Sequence, residues 1–360
     1  MENLKKLVSF KSDENCDKII SFLQNKLKNN VFEIQVFDND NKGRVVLVGI
    51  NTILENISPI VLAGHIDTVS ANEKEYSTNP YELTEKDEKM FGLGSIDMKS
   101  FAAIVIDNIK ILKQLSVPII AIFTTDEETS MLSIKNAISK LKKLNITPKF
   151  TIVGEPTQSK FCLYSNADYE VNLKIFGKSC HSSQPQNGTN AICACAKIID
   201  FIEENQKKYN FLTSNCATIK GGEVINKVPD FVELNFDIRS MNKKQIDSFI
   251  TDIKNQIEKL KNQYIGLKYE MNIPFYIPAF ENRNNDKLKQ IANEMNIAVD
   301  NFSGGCEAGF YAEYSGDVVI FGVGDLALAH KPNEYVVIKE YYDYSKKLIL
   351  LLEMIKKYYY

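Results

Sequence analysis

The chain has 360 residues, more than one ordinary core serves, and at about 150 residues per domain its length points to two domains. With 44% hydrophobic and 25% charged residues it has a globular composition, which excludes a disordered chain. Forty-three basic against 46 acidic side chains leave a formal charge of −3, so no overall positive field draws it to nucleic acid or anionic lipid.

Residues 1–10 mix lysines with apolar side chains but show neither the apolar core nor the small-residue cleavage site of a signal peptide. The best candidates for a span, 118–123 and 348–352, fall far short of the ~20 residues that cross a bilayer. The seven cysteines include no C-x-x-C pair; Cys193 and Cys195 point to different sides of an expected helix. All seven read as reduced thiols of a cytoplasmic protein. Lys142-Lys143 and Lys243-Lys244 read as exposed helix faces.

Behind Ser12-Asp13-Glu14, the apolar residues Ile19, Ile20, Phe22, Leu23 and Leu27 recur at helical spacing and predict a first helix over 12–27. Strands at 45–48, 60–62, 119–124 and 150–153 then alternate with helices near 98–115 and 131–144. Pro59, Pro118 and Pro148 stand at or just before the start of apolar runs, where a missing N–H breaks no ladder. The alternation predicts an α/β domain with a mixed, mainly parallel sheet flanked by helices. From about 168 to 277 the pattern becomes an alternating strand (Tyr169, Val171, Leu173, Ile175), a helix near 190–204, strands around 216–219 and 232–238, and a helix near 244–260. After Pro278 the first pattern resumes with a helix near 286–295, a strand at 318–321 and a closing helix from about Lys339. The reading is a discontinuous domain, 1–168 and 277–360, carrying a smaller α+β domain inserted over 169–276. No internal repeat is present, and Tyr358-Tyr359-Tyr360 reads as a frayed terminus.

All three histidines, His65, His181 and His330, stand beside Gly, Pro, Asp or Ser instead of inside apolar stripes. A lone histidine is more often a hydrogen-bonded structural residue than a ligand, so each needs company. In Gly64-His65-Ile66-Asp67 a strand runs into a histidine and a carboxylate two apart, which extended geometry puts on one side. Asp67 can then orient the His65 ring, as the partner of a metal-bound imidazole does. Gly94-Ser95-Ile96-Asp97-Met98-Lys99 delivers Asp97 just before a helix, where a plain N-cap is the competing role. Thr124-Thr125-Asp126-Glu127-Glu128 crowds three acids after a strand; a divalent cation relieves their repulsion, while a solvated acidic loop opening a helix is the alternative. Glu155 in Gly154-Glu155-Pro156-Thr157 and His330 in Ala329-His330-Lys331-Pro332-Asn333-Glu334 also follow strands. His65, Asp97, Glu128, Glu155 and His330 would thus all lie outside the carboxyl ends of strands, where open α/β sheets bind ligands.

These motifs, together with His181-Ser182-Ser183-x-Pro185, occur in the order and form of the two-metal deacylases and exopeptidases that include acetylornithine deacetylase and succinyl-diaminopimelate desuccinylase. The resemblance covers nearly the whole chain. It implies that His65 and Glu155 hold one ion, Glu128 and His330 the other, and Asp97 bridges them. Zinc suits that set, with cobalt or manganese as substitutes. Glu127 is implied as the general base acting on a shared water, and Asp67 as the partner of His65. In the inserted domain, which the resemblance makes a lid and dimerisation domain, His181 is implied to steady the oxyanion, often across a homodimer. Asn226, Arg239, Gly304, Gly305 and Glu307 match positions near the substrate, although Asn in a turn, Arg at a strand end and a Gly pair have ordinary structural uses. A cis peptide after Asp97 is also implied.

Two loops depart from the family pattern: Leu93 stands where arginine is common, and Gly322-Val323-Gly324 replaces Gly-Pro-Gly. Cys306-Glu307-Ala308 and the Tyr335 that follows the His330 motif lean toward the acetylornithine branch. The expected activity is hydrolysis of a small N-acyl amino acid, N-acetylornithine first. A desuccinylase, another N-acyl-amino-acid deacylase, a dipeptidase or an aminopeptidase are the alternatives, and a non-catalytic metal-binding scaffold is the reading from a different class.

Overall fold

The structure, a computed structural model, describes residues 1–39, 42–282 and 284–360. Two helices open the chain: α1 (Glu2–Val8), which buries Leu4, Leu7 and Val8, and α2 (Asp17–Leu27), which buries Ile19, Ile20, Leu23 and Leu27. The helix expected over 12–27 therefore starts later, because the Asn15 side chain accepts the Asp17 amide at 2.6 Å and sets the first turn there. Next come β1 (Glu33–Asn39), β2 (Lys42–Gly49), β3 (Ile60–His65), β4 (Thr84–Lys86), β5 (Lys89–Phe91), α3 (Lys99–Asp107), α4 (Ile109–Leu112), β6 (Ile119–Thr124), α5 (Leu132–Lys143), β7 (Phe150–Val153) and β8 (Phe161–Ser165). The single helix expected near 98–115 is divided at Asn108, whose side-chain amide donates to Ile104 O and Ser345 Oγ, each at 2.8 Å.

The middle of the chain forms β9 (Ala167–Phe176), α6 (Ala191–Asn205), β10 (Leu212–Gly221), β11 (Phe231–Ser240), α7 (Lys243–Leu260) and β12 (Lys268–Ile277). It closes with β13 (Phe280–Glu281), α8 (Asn285–Glu294), β14 (Val299–Phe302), α9 (Ala308–Tyr314), β15 (Asp317–Ile320), β16 (Tyr335–Val337) and α10 (Ile338–Tyr359). Two compact units result: one of Met1–Tyr164, Glu281–Phe302 and Cys306–Tyr360, the other of Ser165–Phe280 with Ser303–Gly305.

The first unit is built on a sheet ordered β1-β2-β6-β3-β7-β15-β8-β13, with β14 on β8. Its centre, β6-β3-β7-β15, is parallel, and β2 and β8 flank that centre antiparallel. Every residue of those four central strands is buried, which is why they read as continuous apolar runs and not as alternation. The class is α/β with a mixed sheet whose core is parallel.

The second unit is a four-stranded antiparallel sheet, β10-β11-β9-β12. Val232, Leu234, Phe236 and Ile238 of β11 and Tyr169, Val171, Leu173 and Ile175 of β9 are buried alternately, against helices α6 and α7. Strand β12 escaped sequence reading because it carries Pro274 and a register shift between Asn272 and Phe275, which an edge strand tolerates.

One expectation is corrected: the terminal tyrosines are not frayed. The Tyr359 hydroxyl bonds the Asp317 carboxylate and its ring meets Phe150 edge-on at 5.1 Å, while Tyr360 donates to Ser58 O at 2.6 Å. Aromatic rings with a polar tip bury well, and that anchors the end of α10. The seven thiols are all free, and no helix of the described residues is long and apolar enough to cross a membrane.

Candidate metal centre

Parallel pairing brings the carboxyl ends of β3, β6 and β7 side by side, with His65 opposite Thr124 and Ala63 opposite Val153. The side chains that follow these strands therefore gather at one edge of the sheet. Helix α3 closes over that edge because Gly154 leaves room for it: a Cβ there would lie 2.1 Å from the Phe101 ring. Gly322 does the same between strands, since its Cβ would lie 2.2 Å from Glu155 O. Gly322 is common to both patterns; the two residues that depart, Val323 and Leu93, are buried in the core.

Asp97 does not cap α3. The N-cap is Met98, which makes no side-chain cap hydrogen bond, and the Asp97 carboxylate is engaged elsewhere, so the capping alternative fails. The peptide after Asp97 is cis. The Asp97 carboxylate instead meets two imidazoles, His65 Nε2 at 3.0 Å from Oδ1 and His330 Nε2 at 3.3 Å from Oδ2. His330 Nε2 also lies 2.9 Å from Glu128 Oε2. Asp67 turns back on His65, with its carbonyl 3.2 Å and its Oδ1 3.5 Å from Nδ1, and its Oδ2 accepts the Glu128 amide at 3.0 Å.

The three crowded acids divide their work. Asp126 accepts the Leu132 and Ser133 amides at 2.9 Å each and so opens α5, which has no other side-chain cap. Glu127 and Glu128 are left for the strand ends. Among the described residues, ligand atoms within 4.8 Å of one another fall into three groups: His65, Asp97 and Glu155; Asp97, Glu128 and His330; and His65, Glu127 and Glu128. Asp97 is common to the first two, the sharing expected of a bridge.

Electrostatics bears the mark of this crowding. Burial, then the Glu155, Glu128 and Asp97 carboxylates, push Glu127 well above the usual carboxyl range, and burial with Asp97 does the same to Glu155. Burial would also raise Asp97, yet the hydrogen bonds of His330 and His65 hold it well below that range. Burial pulls His65 down, but Asp67 and Asp97 outweigh it and leave the imidazole well above its ordinary value. Hydrogen bonds to Asp97 and Glu128 carry His330 up to about 10. Two imidazoles held by carboxylates, with further buried carboxylates forced toward neutrality, form an oxygen and nitrogen donor set that divalent cations fit.

The remaining expected residues are placed as follows. Glu307 precedes α9 in the first unit and is 1% exposed; no well-formed hydrogen bond from the described residues reaches either oxygen, and burial raises it to about 7 although the Thr124 hydroxyl close by pulls it down. His181, Asn226, Arg239, Gly304 and Gly305 belong to the second unit. There His181 pairs with Lys227 in an isolated bridge, and Ser182 donates to Asn226 O at 3.0 Å. His181 Nδ1 lies 2.8 Å from the Ser183 hydroxyl and 3.2 Å from the Ser183 amide, so both contacts of the ring's Nδ1 edge are to Ser183. Arg239 is engaged by Asp168 at 2.8 Å and Asp237 at 3.2 Å. Gly305 packs where a Cβ would meet Ile277 Cδ1 at 2.8 Å. Sequence reading gave no role to Glu334 or to Lys99, a buried lysine whose ammonium donates to Phe10 O at 2.9 Å; the only signal for either was its place inside a motif.

Comparison with known proteins agrees with this architecture. A profile of peptidase family M20/M25/M40 matches residues 61–354. Acetylornithine deacetylase of Buchnera aphidicola subsp. Acyrthosiphon pisum (strain Tuc7) is 29% identical over 317 residues, 84% of this chain and 81% of that protein. Among solved structures, a tripeptidase of Staphylococcus aureus is similar with a TM-score of 0.79 at 20% identity, covering 99% of this chain and 96% of that one. The Bacillus subtilis YXEP protein, described as a dinuclear metal-binding peptidase, gives 0.72 at 15% identity, with 98% of each chain covered.

Proposed function

From the premise that the chain belongs to peptidase family M20/M25/M40 and is a metallo-hydrolase, we propose that it hydrolyses the amide bond of a small N-acyl amino acid, N-acetylornithine first. The observation that carries the reading is the pair of donor groups sharing Asp97, with Glu127 beside them. His65 and Glu155 would hold one divalent ion, Glu128 and His330 the other, and Asp97 both, with zinc, cobalt or manganese as occupants. Such ions supply Lewis acidity and bring a water's pKa to ~7.

The chain's own residues do the rest. Glu127 takes the proton of the attacking water at a carboxylate oxygen and returns it to the leaving amine. Asp67 orients His65 through Nδ1. His181, through Nε2, donates to the carbonyl oxygen as negative charge develops there. Glu307, whose buried carboxyl a cation would draw into its ionised form, is assigned to a cationic side chain such as that of ornithine; Asn226, Arg239, Gly304 and Gly305 are assigned to substrate contact on resemblance to the family. The 29% identical acetylornithine deacetylase supports this substrate over a succinyl one.

We assign a homodimer through the second unit. Its edge strand β10 exposes Ile219, and the loop that follows exposes Val224 and, fully, Ile225. Seven free thiols support a reducing, cytoplasmic setting. The test is steady-state turnover of N-acetylornithine, N-succinyl-diaminopimelate and a dipeptide by protein reconstituted with each metal. The acetyl substrate is expected to lead by kcat/KM; preference for another moves the substrate, and hydrolysis of none defeats the catalytic assignment.

A further inference from the structure

Glu334 lies four residues beyond His330, just ahead of β16, and is 2% exposed. Its Oε1 accepts the amides of Ile96 at 2.7 Å and Asp97 at 3.3 Å, and its Oε2 accepts that of Gly94 at 3.1 Å. Its own carbonyl accepts the Gly92 amide at 3.0 Å. Backbone and side chain thus stitch one residue to the whole turn that delivers Asp97. Three amides converging on one carboxylate form an anion nest, and charge-assisted bonds of this kind are about twice as strong as neutral ones.

The segment that ends on Glu334 has unusual backbone at its other end. His330 and Asn333 adopt left-handed backbone, φ 58° and 63°. A non-glycine residue in that region costs on the order of 1 kcal/mol and persists where its surroundings over-determine it. Here Asn333 Oδ1 accepts the Ser77 amide at 2.7 Å and the Ser77 hydroxyl at 2.6 Å, and Glu334 is pinned next to it.

We propose that Glu334 is the positioning residue of the metal centre, its carboxylate binding the amides of the 94–97 turn so that Asp97 and His330 are held against each other before any cation arrives. This rests on the reading of His65, Asp97, Glu128, Glu155 and His330 as the ligand set. A purely structural glutamate would cost stability when replaced and leave cation affinity alone, so affinity is the quantity that discriminates.

The experiment titrates zinc into metal-free protein against a chromophoric chelator, for the wild type, Glu334→Gln and Asn282→Ala. Glutamine keeps the volume and one acceptor but turns an amino group toward the converging N–H groups. Asn282 is the control: 8% exposed and in the same unit, its side chain bonds both the amide and the carbonyl of Val318 in β15. Glu334→Gln is expected to weaken at least one of the two ions by about 10- to 100-fold, the range for residues that orient ligands, and Asn282→Ala to leave both unchanged. Wild-type affinity in folded Glu334→Gln, or an equal loss in Asn282→Ala, overturns the proposal; no uptake by the wild type overturns the ligand reading and this proposal with it. Hydrogen exchange in the metal-free wild type decides the matter even if the variant does not fold. The Gly94, Ile96 and Asp97 amides are expected to be as protected as those of β3, and exchange at open-loop rates would refute a turn held in advance.

Discussion

Glu127 and Glu128 are chain neighbours with different surroundings. Glu128 faces His330 and has its amide fixed by Asp67, whereas Glu127 is pushed toward neutrality by burial and by the carboxylates around it. A base that titrates nearer neutrality both accepts and returns a proton efficiently. Glu127→Gln is therefore expected to lower turnover by about 10²–10⁴-fold with two ions still bound per chain by atomic absorption. Because His65, Glu127 and Glu128 also form a ligand-like group, a loss of metal in that variant would reassign Glu127 as a ligand. Glu307 gives a second residue-level test, through stability. Its folded pKa of about 7 stands above the 4.5 of an unperturbed carboxyl. Between those values the folded chain holds a proton that the unfolded chain has released, so stability falls as pH rises through that window, by up to roughly 3 kcal/mol at about 1.4 kcal/mol per pKa unit. Urea unfolding of the metal-free protein at pH 4.5 and 7.5 should show a smaller decline for Glu307→Gln than for the wild type; equal declines would mean that the carboxyl is not held neutral.

At the scale of elements, the parallel centre of the first unit was readable because 60–62, 119–124 and 150–153 are short runs rich in β-branched residues with no charged side chain among them, and strands buried on both faces leave no other pattern. The convergence of His65, Glu128 and Glu155 followed from where those runs end. Short or half-exposed pieces were not readable: β4 and β5 have three residues each, and β12 exposes most of its side chains. The role of Glu334 was hidden for another reason. Its partners are amides some 240 positions away, and backbone amides carry no sequence signal. Nor did the motif glycines reveal that Gly154 exists for Phe101. Gly154→Ala should drive a methyl into that ring and shift α3, costing about 1–3 kcal/mol as overpacked sites do. The same shift should weaken zinc binding through Asp97. Unchanged melting and unchanged affinity would show that α3 has slack at this edge.

At the scale of the molecule, the chain leaves the first unit at Ser165, builds a sheet of its own and returns at Glu281, adding only Ser303–Gly305 to the second unit afterwards, and His181 lies on the long excursion. Its Nδ1 is engaged by Ser183, which turns Nε2 to the other side of the ring, the nitrogen that would donate to an oxyanion. Whether it serves its own chain or a partner is decided by complementation. His181→Ala and Glu127→Gln should each be nearly inactive as pure proteins. After subunit exchange at equal amounts, half of the dimers are mixed. If His181 acts across the two-fold, each mixed dimer has one site with both residues intact, so activity should return to about a quarter of the wild-type level. If it acts within its own chain, every site in the mixture lacks one residue and no activity returns. With exchange verified by mass spectrometry, the outcome separates a site built from two copies of the chain from one built within a single copy.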